Sequence, residues 1–149
     1  MIYTSSSNQE TIKIGNQIAS TLHGGDIVLL YGDLGAGKTT LTKGIAEGLK
    51  VTNEITSPTF TLMNIYPASA QEINQLVHID TYRMEDAQEL VNIGVDDYLG
   101  ATDTVTIIEW PAKIEPLLVG KKLKKLYLEH AGEDKRKITL EEYAPSSSV

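Results

Sequence analysis

The eight residues Gly32-Asp33-Leu34-Gly35-Ala36-Gly37-Lys38-Thr39 restrict what this chain can fold into more than any other segment. A glycine, four variable residues and then Gly-Lys-Thr build a loop whose backbone N–H groups surround a polyphosphate, provided that a strand precedes it and a helix follows. Glycine at 32, 35 and 37 accepts positive φ and keeps side chains out of the way of the anion. The helix opening near Lys38 turns its positive end towards the same charge. In such a cradle Lys38 reaches the terminal phosphates and the Thr39 hydroxyl ligates magnesium. The flanks supply the required setting. Asp26-Ile27-Val28-Leu29-Leu30-Tyr31 is a short, continuous apolar run closed by glycine, which predicts a buried strand. Leu41, Ile45 and Leu49 then recur at helical spacing.

The remaining chain predicts an alternation of helices and strands. Ser7 followed by Glu10 matches a capping box, with Ile14, Ile18 and Leu22 behind it and Gly24-Gly25 as the stop. Two strands, Phe60 to Tyr66 and Leu76 to Asp80, are expected to pair antiparallel across a loose polar connection around Pro67-Ala68-Ser69-Ala70. A short helix over Glu85 to Ile93 should end before Gly94. Thr104 to Glu109 reads as another buried strand, stopped by Pro111. Leu123 to Glu129 and Lys137 to Tyr143 flank Gly132-Glu133-Asp134 and predict a terminal hairpin. With 149 residues there is room for one core. The expectation is an α/β fold, a single-domain P-loop NTPase with a mixed parallel/antiparallel sheet flanked by helices. Residues 1–144 form the domain and residues 145–149 a disordered tail.

Charge narrows the partners. Twenty acidic against 13 basic side chains give a formal charge of -7, a field that repels polyanions and argues against broad nucleic-acid binding. The lysines at 121, 122, 124 and 125 are read as the solvated face of a strand, with a local nucleic-acid contact as the lesser alternative. The absence of cysteine excludes disulfides, thiolate metal sites and cysteine nucleophiles. The N-terminus lacks the basic and apolar regions of a secretory signal, and no apolar run reaches the roughly 18 residues needed to span a bilayer. A cytoplasmic protein without a membrane partner is expected.

A magnesium nucleotide also needs an acid at the end of a neighbouring strand, and Asp80 and Glu109 both fit. Either can hold the metal and leave the other to orient water, and the sequence leaves that choice open. Ser57-Pro58-Thr59 lies where a loop can sense the γ-phosphate, with Thr59 as the sensor; a plain serine-proline turn feeding a strand is the competing reading. His78 is read as structural and given no chemistry. Trp110 either lines the site, faces a partner or packs in the core. Arg83 and Arg136 are the only arginines, which argues against a small-molecule kinase and for slow intrinsic hydrolysis aided by a partner's arginine. No Asn-Lys-x-Asp segment selects guanine, so ATP is the expected substrate.

Taken together, Gly32 to Thr40, Ser57-Pro58-Thr59-Phe60, His78-Ile79-Asp80-Thr81-Tyr82-Arg83 and Ile108-Glu109-Trp110-Pro111 resemble the TsaE family in order and spacing. The resemblance implies a bacterial ATPase that supports formation of N6-threonylcarbamoyladenosine at position 37 of tRNAs. It would act with the TsaD and TsaB proteins and meet tRNA only indirectly. By position, Lys38, Thr39 and Thr40 would contact phosphates and metal, Thr59 would form the first switch, and Asp80 and Glu109 would serve Mg2+ and hydrolysis. Trp110, with Ser57, Pro58 and Arg83, would belong to the same partner-facing edge. Thr81 stands where the family usually has leucine, which leaves the local packing open. The alternative function is a nucleotide-gated binding module whose hydrolysis is incidental, and a weak homodimer is left open.

Overall fold

Seven strands make one sheet in the order β1-β7-β6-β2-β5-β4-β3. They are β1 (Ile2–Ser5), β2 (Ile27–Tyr31), β3 (Met63–Ala70), β4 (Ile73–Asp80), β5 (Thr104–Glu109), β6 (Leu123–His130) and β7 (Arg136–Tyr143), with helices α1 (Asn8–Ala19), α2 (Lys38–Gly48) and α3 (Gln88–Asn92) between them. Short 3₁₀ segments cover Val95–Asp97 and Pro111–Leu118. The computed structural model describes residues 1–33, 35–58 and 61–143. The central four strands, β6-β2-β5-β4, run parallel, while β3 joins one edge and β7 with β1 the other in antiparallel pairing. No helix among the described residues is long and apolar enough to cross a membrane.

Strand alternation divides the core between the two faces of this mixed sheet. Val28 and Leu30 of β2, Leu76 of β4 and Ile107 of β5 meet Ile14 and Ile18 of α1 and Leu41 and Ile45 of α2 on one face. Ile27, Leu29, Val77, Ile79 and Ile108 point the other way, onto Met84, Leu90, Val95, Leu99, Ile114 and Leu118. Both faces are covered, which is why the parallel strands read as continuous apolar runs. Helices α1 and α2 touch backbone to backbone. A Cβ added to Gly44 would lie 2.4 Å from the Ile12 carbonyl oxygen, and one added to Gly15 would lie 2.7 Å from the Gly44 backbone.

The start of α1 closes as a variant of the expected capping box. The Glu10 N–H donates to Ser7 Oγ at 3.1 Å, but Glu10 Oε2 accepts in return from the Ser6 N–H at 3.0 Å rather than from Ser7. The helix ends at Ala19, and Leu22 reaches the core from the turn beyond it, 1% exposed.

Four expectations need correction. Pro67-Ala68-Ser69-Ala70 is not a loose connection but the second half of β3, with Pro67 opposite Gln75 and Ala70 opposite Ile73 across a shift of register. An edge strand tolerates a proline because no neighbour needs its missing N–H; the turn itself is Gln71-Glu72, with Gln71 at φ 52. β4 accordingly begins at Ile73. The helix over Glu85 to Ile93 shrinks to α3, since the Glu89 carboxylate accepts from the Glu85 and Asp86 N–H groups and holds that segment in a turn. Lys124 is not solvated: it is 4% exposed, 3.4 Å from Asp26 and bonded to the Thr21 carbonyl at 3.0 Å. β1, four residues of mixed polarity pairing with β7, was not anticipated. Phe60 and the predicted tail, residues 145–149, lie outside the described residues, as does Ala144 at the expected domain boundary.

Candidate active site

β2, β5 and β4 are neighbours, and their carboxyl ends lie side by side: Leu30 pairs with Glu109 and Glu109 with Asp80. The crevice outside such strand ends is where open α/β sheets hold ligands. Here the cradle follows β2, bent by Gly35 at φ 80 and by Gly37 at φ 100, which forms the left-handed N-cap of α2. A side chain at either position would strain the backbone. Lys38 and Thr39 therefore begin α2 at its positive end, facing the two acids.

A cavity of about 480 Å³ occupies this crevice. Gly35, Gly37, Lys38, Thr39 and Thr40, the acids Asp80 and Glu109, and Ser57, Arg83 and Trp110 all line it. These are ten of the residues singled out from the sequence. Asp33 and Ala36 are not among the lining residues. Asp33 is exposed and lines a neighbouring cavity with Tyr31, Gly32 and Trp110. Ala36 is 1% exposed, and its N–H donates to the Asp33 carbonyl at 3.0 Å. Pro58 is buried outside the lining. Leu34 and Thr59, the expected cradle residue and sensor, lie outside the described residues.

Lys38 is only 6% exposed. Its Nζ donates to the Gly32 carbonyl at 2.7 Å and sits 3.3 Å from the centroid of the Trp110 ring. Burial pushes its pKa below the ordinary 10.5, against the opposing pull of Glu109, Asp80 and Asp33. A buried cation and two carboxylates thus share one concave space, the kind of cluster that marks a candidate functional site.

Trp110 adopts left-handed backbone angles, φ 58 and ψ 57, which cost a non-glycine residue about 1–3 kcal/mol unless its surroundings hold it. Thr81, fully buried, does the holding. Its hydroxyl reaches the carbonyls of both Glu109, at 3.1 Å, and Trp110, and its N–H donates to Glu109 O at 3.3 Å. The Tyr82 ring packs on Trp110 at 5.0 Å, and the Tyr82 N–H donates to Asp80 Oδ1 at 2.9 Å. Thr81, whose packing the sequence left open, thus fixes the Glu-Trp corner.

Several residues of the site escaped the sequence reading. Asn8 and Thr11 from the first turns of α1, Tyr82, and Arg136 from β7 complete the cavity, and Arg136 Nη2 lies 3.5 Å from the Gly35 carbonyl. No local signal joins residues so distant along the chain; only the sheet order does. His78 is fully buried, with Nε2 2.7 Å from Glu109 Oε2. For this one a signal existed, since His78 and Asp80 are two apart on a strand and share a face.

The donor set fits magnesium. Thr39, Asp80 and Glu109 offer hard oxygen atoms on one cavity. Among the described residues there is no cluster of three or more His, Asp or Glu side chains of the kind that cages a metal alone. Magnesium is usually held by one or two carboxylates together with substrate phosphates, so a sparse set beside an anion cradle suits it.

Comparison with known proteins agrees with this architecture. The family model described as threonylcarbamoyl adenosine biosynthesis protein TsaE matches residues 5–138. The tRNA threonylcarbamoyladenosine biosynthesis protein TsaE of Bacillus subtilis (strain 168) is 42% identical over 131 residues, spanning 88% of this chain and 78% of the relative. The protein of the same name from Streptomyces coelicolor is 41% identical over 107 residues, 70% of each chain. A crystal structure of Bacillus subtilis YdiB superposes with a TM-score of 0.77 at 34% identity, covering 94% of this chain and 83% of that one.

Proposed function

This chain belongs to the TsaE family, and from that membership and the geometry of the cavity we propose that it binds and hydrolyses Mg-ATP in support of threonylcarbamoyladenosine formation on tRNA. The observation that carries the reading is the convergence of Lys38, Thr39, Asp80 and Glu109 on one cavity at the positive end of α2. The triphosphate would lie along the cradle, in the cavity that Asn8, Thr11 and Arg136 also line. Thr39 and Asp80 would hold the metal, leaving Glu109 for the water; when bound, the metal neutralises charge on the phosphate oxygens.

In the hydrolytic step a water oxygen bonds to the γ-phosphorus while the bond from that phosphorus to the β–γ bridging oxygen breaks. The electron pair stays with ADP, and the water gives up its proton. Glu109 is the group that orients this water and takes up that proton. Lys38 stabilises charge on the terminal phosphates, and Arg83 and Arg136 stand at the cavity to share that task. Two arginines at the site reduce the dependence on a partner's arginine that the sequence led us to expect. They also weaken the competing reading of a binding module with incidental hydrolysis.

The acidic surface suits protein partners, which the family resemblance identifies as TsaD and TsaB. The test has two arms. Nucleotide binding and phosphate release are measured with purified protein, alone and with those partners. Threonylcarbamoyladenosine is measured in tRNA from a strain lacking the gene. Binding, hydrolysis and depletion of the nucleoside support the proposal; an unchanged nucleoside profile rejects the pathway, and a folded protein without nucleotide affinity rejects the site.

A further inference from the structure

We propose that His78 is a positioning residue for hydrolysis, fixing the carboxylate of Glu109 through a hydrogen bond so that one oxygen is held and the other is presented to the attacking water. The proposal rests on the hydrolytic reading above. Nε2 of His78 lies 2.7 Å from Oε2 of Glu109, and the two side chains are 1% and 6% exposed. Since an ionised carboxylate can only accept, Nε2 carries the hydrogen.

Three observations separate this pair from an ordinary core histidine. The first is that, among the described residues, Glu109 is the one hydrogen-bond partner of the ring, bound through Nε2, while Nδ1 has none, so Glu109 is what orients the imidazole. A second is its neighbourhood: the adjoining positions on the same sheet face, Leu76 and Ile107, are apolar and belong to the core under α1 and α2. An aliphatic side chain would suit packing there better. The third is that the backbone of Glu109 is anchored independently by Thr81. Loss of the imidazole therefore frees the carboxylate to rotate without releasing the strand end. A carboxylate free to turn spends less time in the one orientation that aligns water with the γ-phosphorus.

The test is single-turnover ATP hydrolysis with protein in excess, giving a maximal rate and a half-saturation concentration. His78→Leu removes the donor, while His78→Gln keeps an N–H within similar reach. His78→Leu is expected to lower the maximal rate about 10- to 100-fold, the range seen for residues that orient a functional group. Half-saturation should stay within about twofold, and His78→Gln should recover most of the rate. In the unsubstituted protein, one imidazole N–H among the three histidines should resist exchange and shift in the NMR spectrum of Glu109→Gln. A full rate in His78→Leu, equal losses in both variants, a changed half-saturation in place of the rate, or no such resonance would each overturn the proposal. Unsubstituted protein that binds ATP without ever hydrolysing it would overturn the hydrolytic reading and the positioning role with it. In that case the protected imidazole resonance would persist, which distinguishes it from failure of the pair itself.

Discussion

The ammonium of Lys38 rests 3.3 Å from the centre of the Trp110 ring and at the same time donates to the Gly32 carbonyl at 2.7 Å. A polyphosphate in the cradle competes for that ammonium and must loosen one or both contacts. Trp110 is the only tryptophan, so its emission should change on titration with Mg-ATP or Mg-ADP. Lys38→Ala should abolish the change and weaken affinity about 10- to 150-fold, given roughly 1.5–3 kcal/mol for a hydrogen bond to a charged group. Calorimetry showing undiminished affinity in that variant would contradict the cradle assignment.

Thr81 makes a second prediction. Its hydroxyl reaches the Glu109 and Trp110 carbonyls. Thr81→Val keeps the shape and removes the bonds. It should cost about 1–3 kcal/mol in urea unfolding, with an unchanged denaturant slope and an altered near-UV signal from Trp110. Thr81→Ser should keep most of both. A valine variant indistinguishable from the parent would show that the corner holds its left-handed backbone without the hydroxyl.

Which parts of the molecule could be read in advance follows from how local their causes are. β2, β5, the apolar stripe of α2 and the positive φ of Gly35 and Gly37 are set by neighbours within a few residues, through glycine conformations and continuous apolar runs, and they stand as expected. The errors fall where pairing or distant contacts decide. Pro67 reads as a loop until an edge strand is known to need no N–H from it, and Lys124 reads as surface until Asp26 is found behind it. Asn8, Thr11 and Arg136 reach the cavity only because β7 and α1 fold back beside the cradle. The strand spacing of His78 and Asp80 was legible; that Glu109 would turn towards the histidine required the register between β4 and β5.

The pair of Lys124 and Asp26 predicts a stability cycle. Asp26 is 2% exposed, accepts from the His23 N–H at 2.8 Å and faces Lys124 at 3.4 Å. Lys124→Met leaves that carboxylate buried without its cation, and removing one partner of a buried pair costs about 3–5 kcal/mol. The double variant Lys124→Met/Asp26→Asn should recover a large part of the loss, because the amide can still accept from His23. Chemical denaturation of the two single variants and the double variant gives the coupling. Additive losses would mean that the two groups act independently.

The depressed pKa of Lys38 predicts two opposite pH trends from one side chain. Burial, the larger cause, pushes it below the 10.5 of the unfolded chain. Between the folded and unfolded values the unfolded chain holds more proton, so stability gains as pH rises through that window. The contribution is full above the unfolded value and is lost as pH falls through the folded one. Nucleotide acts in the other direction, since polyphosphate favours the charged ammonium and raises its pKa in the complex. Binding at alkaline pH should therefore take up a proton, and affinity should fall as pH rises through the depressed value. Calorimetry in buffers of different ionisation enthalpy measures the uptake, and denaturant titrations over the same range measure the stability slope. Lys38→Met should remove this residue's share of both. Slopes that persist unchanged in that variant would assign the proton to another group.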